Sequence, residues 1–245
     1  MPPSALPEVD EAPPLLGQTA DGAGQIDRSR WAREAHARFF SGFADPHFNV
    51  VAEVELGPML AAAEAAGRSP FLAMLWATSA AANRLHCLRL RLRGDAAVLH
   101  PVVHPSFTLR VEGERFRYCT APFSPDFGDF CAGAEAAMAA TRAAPALEID
   151  AGGRDDLLFV SSLPWLRFTS VQHAAMDPRR DSFPRITWGR FCPEAGGVRA
   201  PLSLQGHHAL LDGIHVAMFF AGVEALAAAP RWMTPPAPRP APAGG

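Results

Sequence analysis

Residues 205–220 read QGHHALLDGIHVAMFF. Two adjacent histidines, His207 and His208, stand in an apolar run shortly before Asp212-Gly213, and His215 follows. Upstream, LSLQ (202–205) has the look of a strand. Downstream, Val216, Phe219, Phe220 and Val223 fall at i, i+3, i+4 and i+7, the apolar stripe of an amphipathic helix. The stretch therefore reads as a strand, a turn carrying imidazole and carboxylate, and a helix. Asp-Gly before a helix is a common turn and cap, and a buried histidine is often only hydrogen-bonded. A metal site built from His207, His208, Asp212 and His215 is poorly supported, because an HxxxD pair without further placed donors is unspecific. No metal is expected.

Working outward, the 245-residue chain fits one large domain or two small ones with tails. Its hydrophobic fraction of 49% is enough for a substantial core. The net charge of −3 offers no basic field for nucleic acid or an anionic membrane. All 22 basic residues are arginine, so a catalytic lysine or lysine Schiff base is excluded. Cys87, Cys119, Cys131 and Cys192 form no CxxC pair, which argues against a zinc site or a disulfide framework and for reduced thiols in a cytoplasmic protein. No signal peptide and no apolar run of about 18 residues is found, so no membrane span is expected.

Residues 1–25, rich in Pro, Gly and acid, read as a disordered tail, and 233–245 likewise. The folded body is expected over 26–232. Within it, 51–56 reads as a strand. Residues 58–85 read as two helices broken near Gly67–Pro70. LRLRLRGDAAVLH reads as a hairpin turning at Gly94-Asp95 with its arginines on a wet face. SFTLRVEGERFRYC is a second hairpin turning at Glu112-Gly113, followed by a helix from about 126. DLLFVSS (156–162) suits a buried strand, and RITWGRF and VRAPLSLQ flank a Gly-rich turn. Strands and helices mix without a βαβ rhythm. The expected class is α+β, a two-layer sandwich in which helices cover a mixed, largely antiparallel sheet. No GxGxxG follows a strand and no Walker sequence occurs.

HHALLDG resembles the HxxxDG signature of the CoA-dependent acyltransferases, a family that includes chloramphenicol acetyltransferase and the dihydrolipoyl acyltransferases. The doubled histidine is closer to the chloramphenicol enzyme's form. Three further blocks, in family order, are similar: WAREAHARF with Trp31, Arg33, His36 and Phe39; HPSFTLRVEGERF; and FVSSLPWLRFTS with Ser161, Pro164 and Trp165. FPRITWGRF is similar to the segment that follows them. The match covers about residues 26–226.

The resemblance implies the fold of that family and a role for each matched residue. His208 matches the catalytic base. A substrate hydroxyl attacks a thioester poorly, and an imidazole can take its proton during attack and then protonate the departing CoA sulfur. Ser161 matches the oxyanion donor. Thr187 matches a threonine that holds a water near the intermediate. Asp212 and Arg33 match a structural ion pair that shapes the histidine loop, which argues against a Ser-His-Asp triad. Phe40, Phe107, Thr108 and Phe116 match positions against which the acceptor lies, although Phe40 replaces a tyrosine and so removes a hydroxyl donor. Arg190 and Arg68 stand where CoA phosphates need cations, in place of the family's lysines.

The implied activity is acetyl-CoA-dependent O-acetylation of a small alcohol, with chloramphenicol as the leading acceptor, by direct general-base attack. The implied assembly is a homotrimer with active sites between subunits. Two alternatives stay open: the same chemistry on a different small alcohol, and a non-catalytic binding relative. A dihydrolipoyl acyltransferase core is disfavoured because no lipoyl or peripheral-subunit-binding segment precedes the body.

Overall fold

The computed structural model describes residues 10–233 apart from 114, 145–152, 176, 178 and 179. The helices are α1 (Glu34–Ser41), α2 (Gly57–Ala65), α3 (Pro70–Asn83), α4 (His86–Arg89), α5 (Phe127–Ala143) and α6 (Gly213–Ala228). The main sheet holds seven strands: β3 (His47–Glu55), β6 (His104–Arg110), β7 (Phe116–Thr120), β8 (Leu157–Ser162), β9 (Arg185–Trp188), β10 (Cys192–Glu194) and β11 (Gly197–His207). β11 is its spine, pairing antiparallel with β3 on one side and with β10 and β9 on the other. β9 and β8, and β8 and β6, are parallel, and β7 closes the far edge antiparallel to β6. The sheet is mixed and largely antiparallel, as the lack of a βαβ rhythm leads one to expect.

Because side chains alternate along a strand, the register divides the sheet into two unlike faces. Leu202, Leu204, Ile186, Val160 and Phe107 share one face and are all buried. The helices cover it. α3 is apolar all round, as a central helix must be, with Leu72 through Ala82 buried. α6 lies against α3 and α2 and buries the predicted Val216, Phe219, Phe220 and Val223. The opposite face presents Asn49, Gln205, Ser203, Thr187, Ser161 and Thr108, and among the described residues no helix covers it.

Two expectations are corrected. The second half of the expected N-terminal tail is structured: β1 (Leu15–Gln18) and β2 (Gly24–Ile26) form a hairpin that continues onto β5 (Ala96–Leu99) and β4 (Leu90–Arg93) as a second, four-stranded sheet. Ala23 and Ile26 are buried there, and Asp10 accepts backbone hydrogen bonds from His86 and Cys87 at the start of α4. Docking supplies the burial that the Pro- and Gly-rich composition conceals. Residues 1–9 and 234–245, the rest of both expected tails, lie outside the described residues.

The second correction concerns the arginines of the 88–100 hairpin. Arg91 is fully buried rather than wet, and donates to the carbonyls of Leu88, Leu90 and Leu157. Burial pulls its pKa down to about 10. The arginines do alternate onto one face of the hairpin, but Asp155, Leu157 and Phe183 pack against that face. A guanidinium tolerates the position because three carbonyls solvate it.

Candidate active site

β11 ends at His207, and the chain turns through 208–212 into α6. Gly206 is required by this turn: a Cβ there would stand 2.5 Å from Leu211 Cδ2. Ala209, Leu210 and Leu211 plug into the core. The intervening residue is thereby displaced outward, and the His208 side chain keeps about a third of its surface exposed. Phe40 of α1 stacks flat on its ring at 3.9 Å with 4° between planes, and Phe48 of β3 tilts against it at 4.5 Å. Its backbone N–H donates to Pro46 O.

Arg33, just before α1, organises the turn. Its guanidinium donates to Asp212 Oδ2 at 2.6 Å, to Asp212 Oδ1 at 3.2 Å and to the carbonyl of His208 at 3.2 Å. Nε reaches Ala209 O at 3.4 Å. Burial disfavours the Asp212 carboxylate, but the hydrogen bonds and charge of Arg33 outweigh it, and the pKa lies below the ordinary value. Asp212 Oδ1 is also 3.1 Å from His208 Nδ1, without the alignment of a hydrogen bond. The carboxylate is thus committed mainly to Arg33. Among the described residues, no protein group takes His208 Nε2. His215 closes the loop from the far side, its Nδ1 accepting the Asp212 backbone N–H at 3.0 Å. Asp212→Asn and Arg33→Ala are each expected to lower turnover by misplacing His208. Urea-unfolding energies from the two single variants and the double variant should show coupling of about 1–3 kcal/mol. Strictly additive losses would mean that the pair does not act as a unit.

Asp10, Cys87 and His215 bring ligand-type atoms within 4.8 Å of one another. Asp10 is spent on the backbone of α4, and an accepting Nδ1 leaves the proton of the neutral His215 ring on Nε2. The cluster is a joint between the N-terminal segment, α4 and α6.

Ser161 sits elsewhere. It is half-buried on the helix-free face of β8, level with Thr187 and, one strand further, Ser203. Its hydroxyl has no protein partner among the described residues. The five steps along β11 from Ser203 to His208 span roughly 17 Å, and two strand spacings add roughly 10 Å across. Within one chain, then, the imidazole and the serine do not meet. Thr187 is fully buried, and its hydroxyl is taken by His173 Nε2 at 2.7 Å, not left free for a water alone. His173, which no sequence motif marks, is the functional-site neighbour that sequence reasoning missed.

The expected acceptor positions divide. Phe40 lies on the His208 ring, as above. Thr108 and Phe116 share the face of Ser161, with Phe116 exposed and edge-on to Tyr118. Phe107 is corrected: strand alternation turns it to the helix side, where it is 1% exposed against Phe71. Arg190, just beyond β9, is exposed at the Ser161 end of the sheet and has no carboxylate partner among the described residues. Arg68 is also exposed and unpaired there, but it lies in the α2–α3 turn, near enough to Cys131 of α5 to act on its thiol. It therefore belongs to the helix layer, across the sheet from Ser161. A cavity of about 390 Å³ opens beside Phe48, between β3 and segment 169–172, with Asn49, Gln205, Thr169 and Gln172 in its walls.

Comparison with known proteins identifies the family of the chain. The family model described as chloramphenicol acetyltransferase matches residues 23–224. A chloramphenicol acetyltransferase of Streptomyces acrimycini is 33% identical over 211 residues, spanning 85% of this chain and 96% of the relative. Chloramphenicol acetyltransferase 3 of Escherichia coli is 25% identical over 196 residues, spanning 80% of this chain and 92% of the relative. A solved chloramphenicol acetyltransferase superposes with a TM-score of 0.79 at 27% identity, covering 84% of this chain and 99% of that one. Among the described residues, no helix is long and apolar enough to cross a membrane.

Proposed function

Since the chain belongs to the chloramphenicol acetyltransferase family and is an acyltransferase, we propose that it transfers an acetyl group from acetyl-CoA to the hydroxyl of a small alcohol, with chloramphenicol as the leading acceptor. The observation that carries the reading is His208, held rigidly by two aromatic rings and an arginine-braced turn with Nε2 left free. A nitrogen so placed can take the proton of an attacking hydroxyl and return it to the leaving sulfur. The unpartnered Ser161 hydroxyl can donate to the carbonyl oxygen as it becomes negative. Both substrates bound together make an acyl-enzyme unnecessary. Arg190, an unpaired guanidinium near Ser161, suits a CoA phosphate. Arg68 could serve one only from a neighbouring copy.

The two halves of this chemistry stand apart in one chain, so the reading requires His208 of one copy to face Ser161 of the next. Exposed apolar side chains accompany each half. Phe39 and Phe43 lie beside Phe40, and Trp165 and Leu166 lie just beyond β8. Two unlike patches meeting head to tail close a ring, which favours the homotrimer. Four cysteines outside any disulfide favour a cytoplasmic setting.

The test mixes pure protein, acetyl-CoA, a thiol-reactive dye and candidate alcohols. Thiol release with chloramphenicol is expected. Release only with other alcohols moves the acceptor and keeps the chemistry. Ligand binding without release for any alcohol would replace the enzyme by a binding relative.

A further inference from the structure

The helix-free face of the main sheet carries Asn49, Gln205, Arg185 and Thr187 in register, and residues 171–173 are tied to it by polar side chains. Asn49 Nδ2 donates to Val171 O. Gln205, itself 2% exposed, grips one residue by both backbone groups: the His173 N–H donates to Gln205 Oε1 at 2.8 Å, and Gln205 Nε2 donates to His173 O at 3.2 Å. The side chain of the same residue is held by Thr187 Oγ1 at 2.7 Å. A loop residue is thus fixed at three points by two buried polar side chains, at a considerable cost in chain entropy.

What these bonds achieve is the placement of an imidazole. Thr187 is the register partner of Ser161, so the ring is bonded to a side chain one strand over from the serine on the same face of the sheet. Burial, and after it the charge of Arg185, pushes the pKa of His173 below the ordinary imidazole value. The ring is therefore neutral at neutral pH. With Nε2 engaged, Nδ1 is the nitrogen left over. It has no protein partner among the described residues, and the residue is only half-buried.

We propose that His173 is a specificity-determining residue that hydrogen-bonds the acceptor through Nδ1, selecting alcohols that carry a second polar group (hydroxyl, amide or ether oxygen) near the hydroxyl to be acylated. The proposal rests on the acetyltransferase reading and names the chemistry its acceptor must have. Ligand sites are largely apolar, with a few fixed polar groups that set specificity, and a nitrogen pinned through its own backbone and its other nitrogen is such a group.

The experiment compares chloramphenicol with 3-phenylpropan-1-ol, which has an aryl ring and a primary hydroxyl but no second polar group, in wild type, His173→Leu and His173→Gln. In His173→Leu, KM for chloramphenicol should rise about 3–10-fold, the worth of one hydrogen bond. KM for phenylpropanol and for acetyl-CoA should stay within about 2-fold, and His173→Gln should recover part of the loss. A KM ratio between the two alcohols that His173→Leu leaves unchanged overturns the proposal. So does an equal loss for both alcohols, a shift in acetyl-CoA KM instead, or loss of folded circular dichroism in both variants. If wild type transfers no acetyl group, it is the acetyltransferase reading that fails. Calorimetric binding of the same two alcohols to wild type and His173→Leu then still decides the role of the residue.

Discussion

Replacement of His208 by alanine should reduce the release of CoA thiol by about 10²–10⁴-fold, the range for loss of a positioned general base. The structure argues that little else should change. Among the described residues, the side chain of His208 accepts and donates no hydrogen bond to the fold, and the turn is held by Arg33, Gly206 and the buried 209–211 triplet. Unfolding by heat should therefore stay near the wild-type midpoint, with a small cost for losing the stack on Phe40. The measurement is steady-state thiol release alongside a melting curve. Retention of even a tenth of the turnover would remove the imidazole from the reaction.

Ser161→Ala should lower kcat by about 10²–10³-fold with acetyl-CoA KM nearly unchanged, because the hydroxyl is asked to act only on charge that develops during reaction. Among the described residues it has no protein partner to lose, so stability is not expected to fall. A sharper result comes from mixing. If each site takes His208 from one copy and Ser161 from the next, His208→Ala and Ser161→Ala proteins, co-unfolded and refolded together, should regain activity. Some interfaces in a mixed ring then carry both intact groups, while others carry neither. Mixtures no more active than their parents would put both residues in one chain's site, in conflict with the separation set by the strand register.

Much of the site was legible because its parts are local. The HxxxDG turn, the buried apolar triplet that leaves the preceding His208 facing outward, and the helix beyond it lie within about twenty consecutive residues. The Arg33–Asp212 contact spans 179 positions and came from the family resemblance rather than from any local pattern. Two kinds of feature stayed hidden. The β1–β2 hairpin is composed of residues that suit a loop, and only its docking onto β5 makes it a strand pair. His173 lies in a segment with no periodicity, and its meaning depends on Gln205 and Thr187, brought beneath it by the sheet. Phe107 failed for a plainer reason. Strand alternation assigns it and Thr108 to opposite faces, so the two could not both line one pocket.

The unlikeness of the two sheet faces bears on how such an enzyme acquires new habits. Every second position of β8, β9 and β11 points away from the helices, but those positions are not alike: Thr187 and Gln205 are buried and hold the loop around His173, whereas Ser161 is half-buried with its hydroxyl uncommitted. A laboratory library built for a new acceptor alcohol can therefore vary codons such as those of Ser161's neighbours Thr108 and Phe116 with small risk of collapse, but not those of Thr187 and Gln205. The intervening codons, whose side chains face the helices, should tolerate almost nothing.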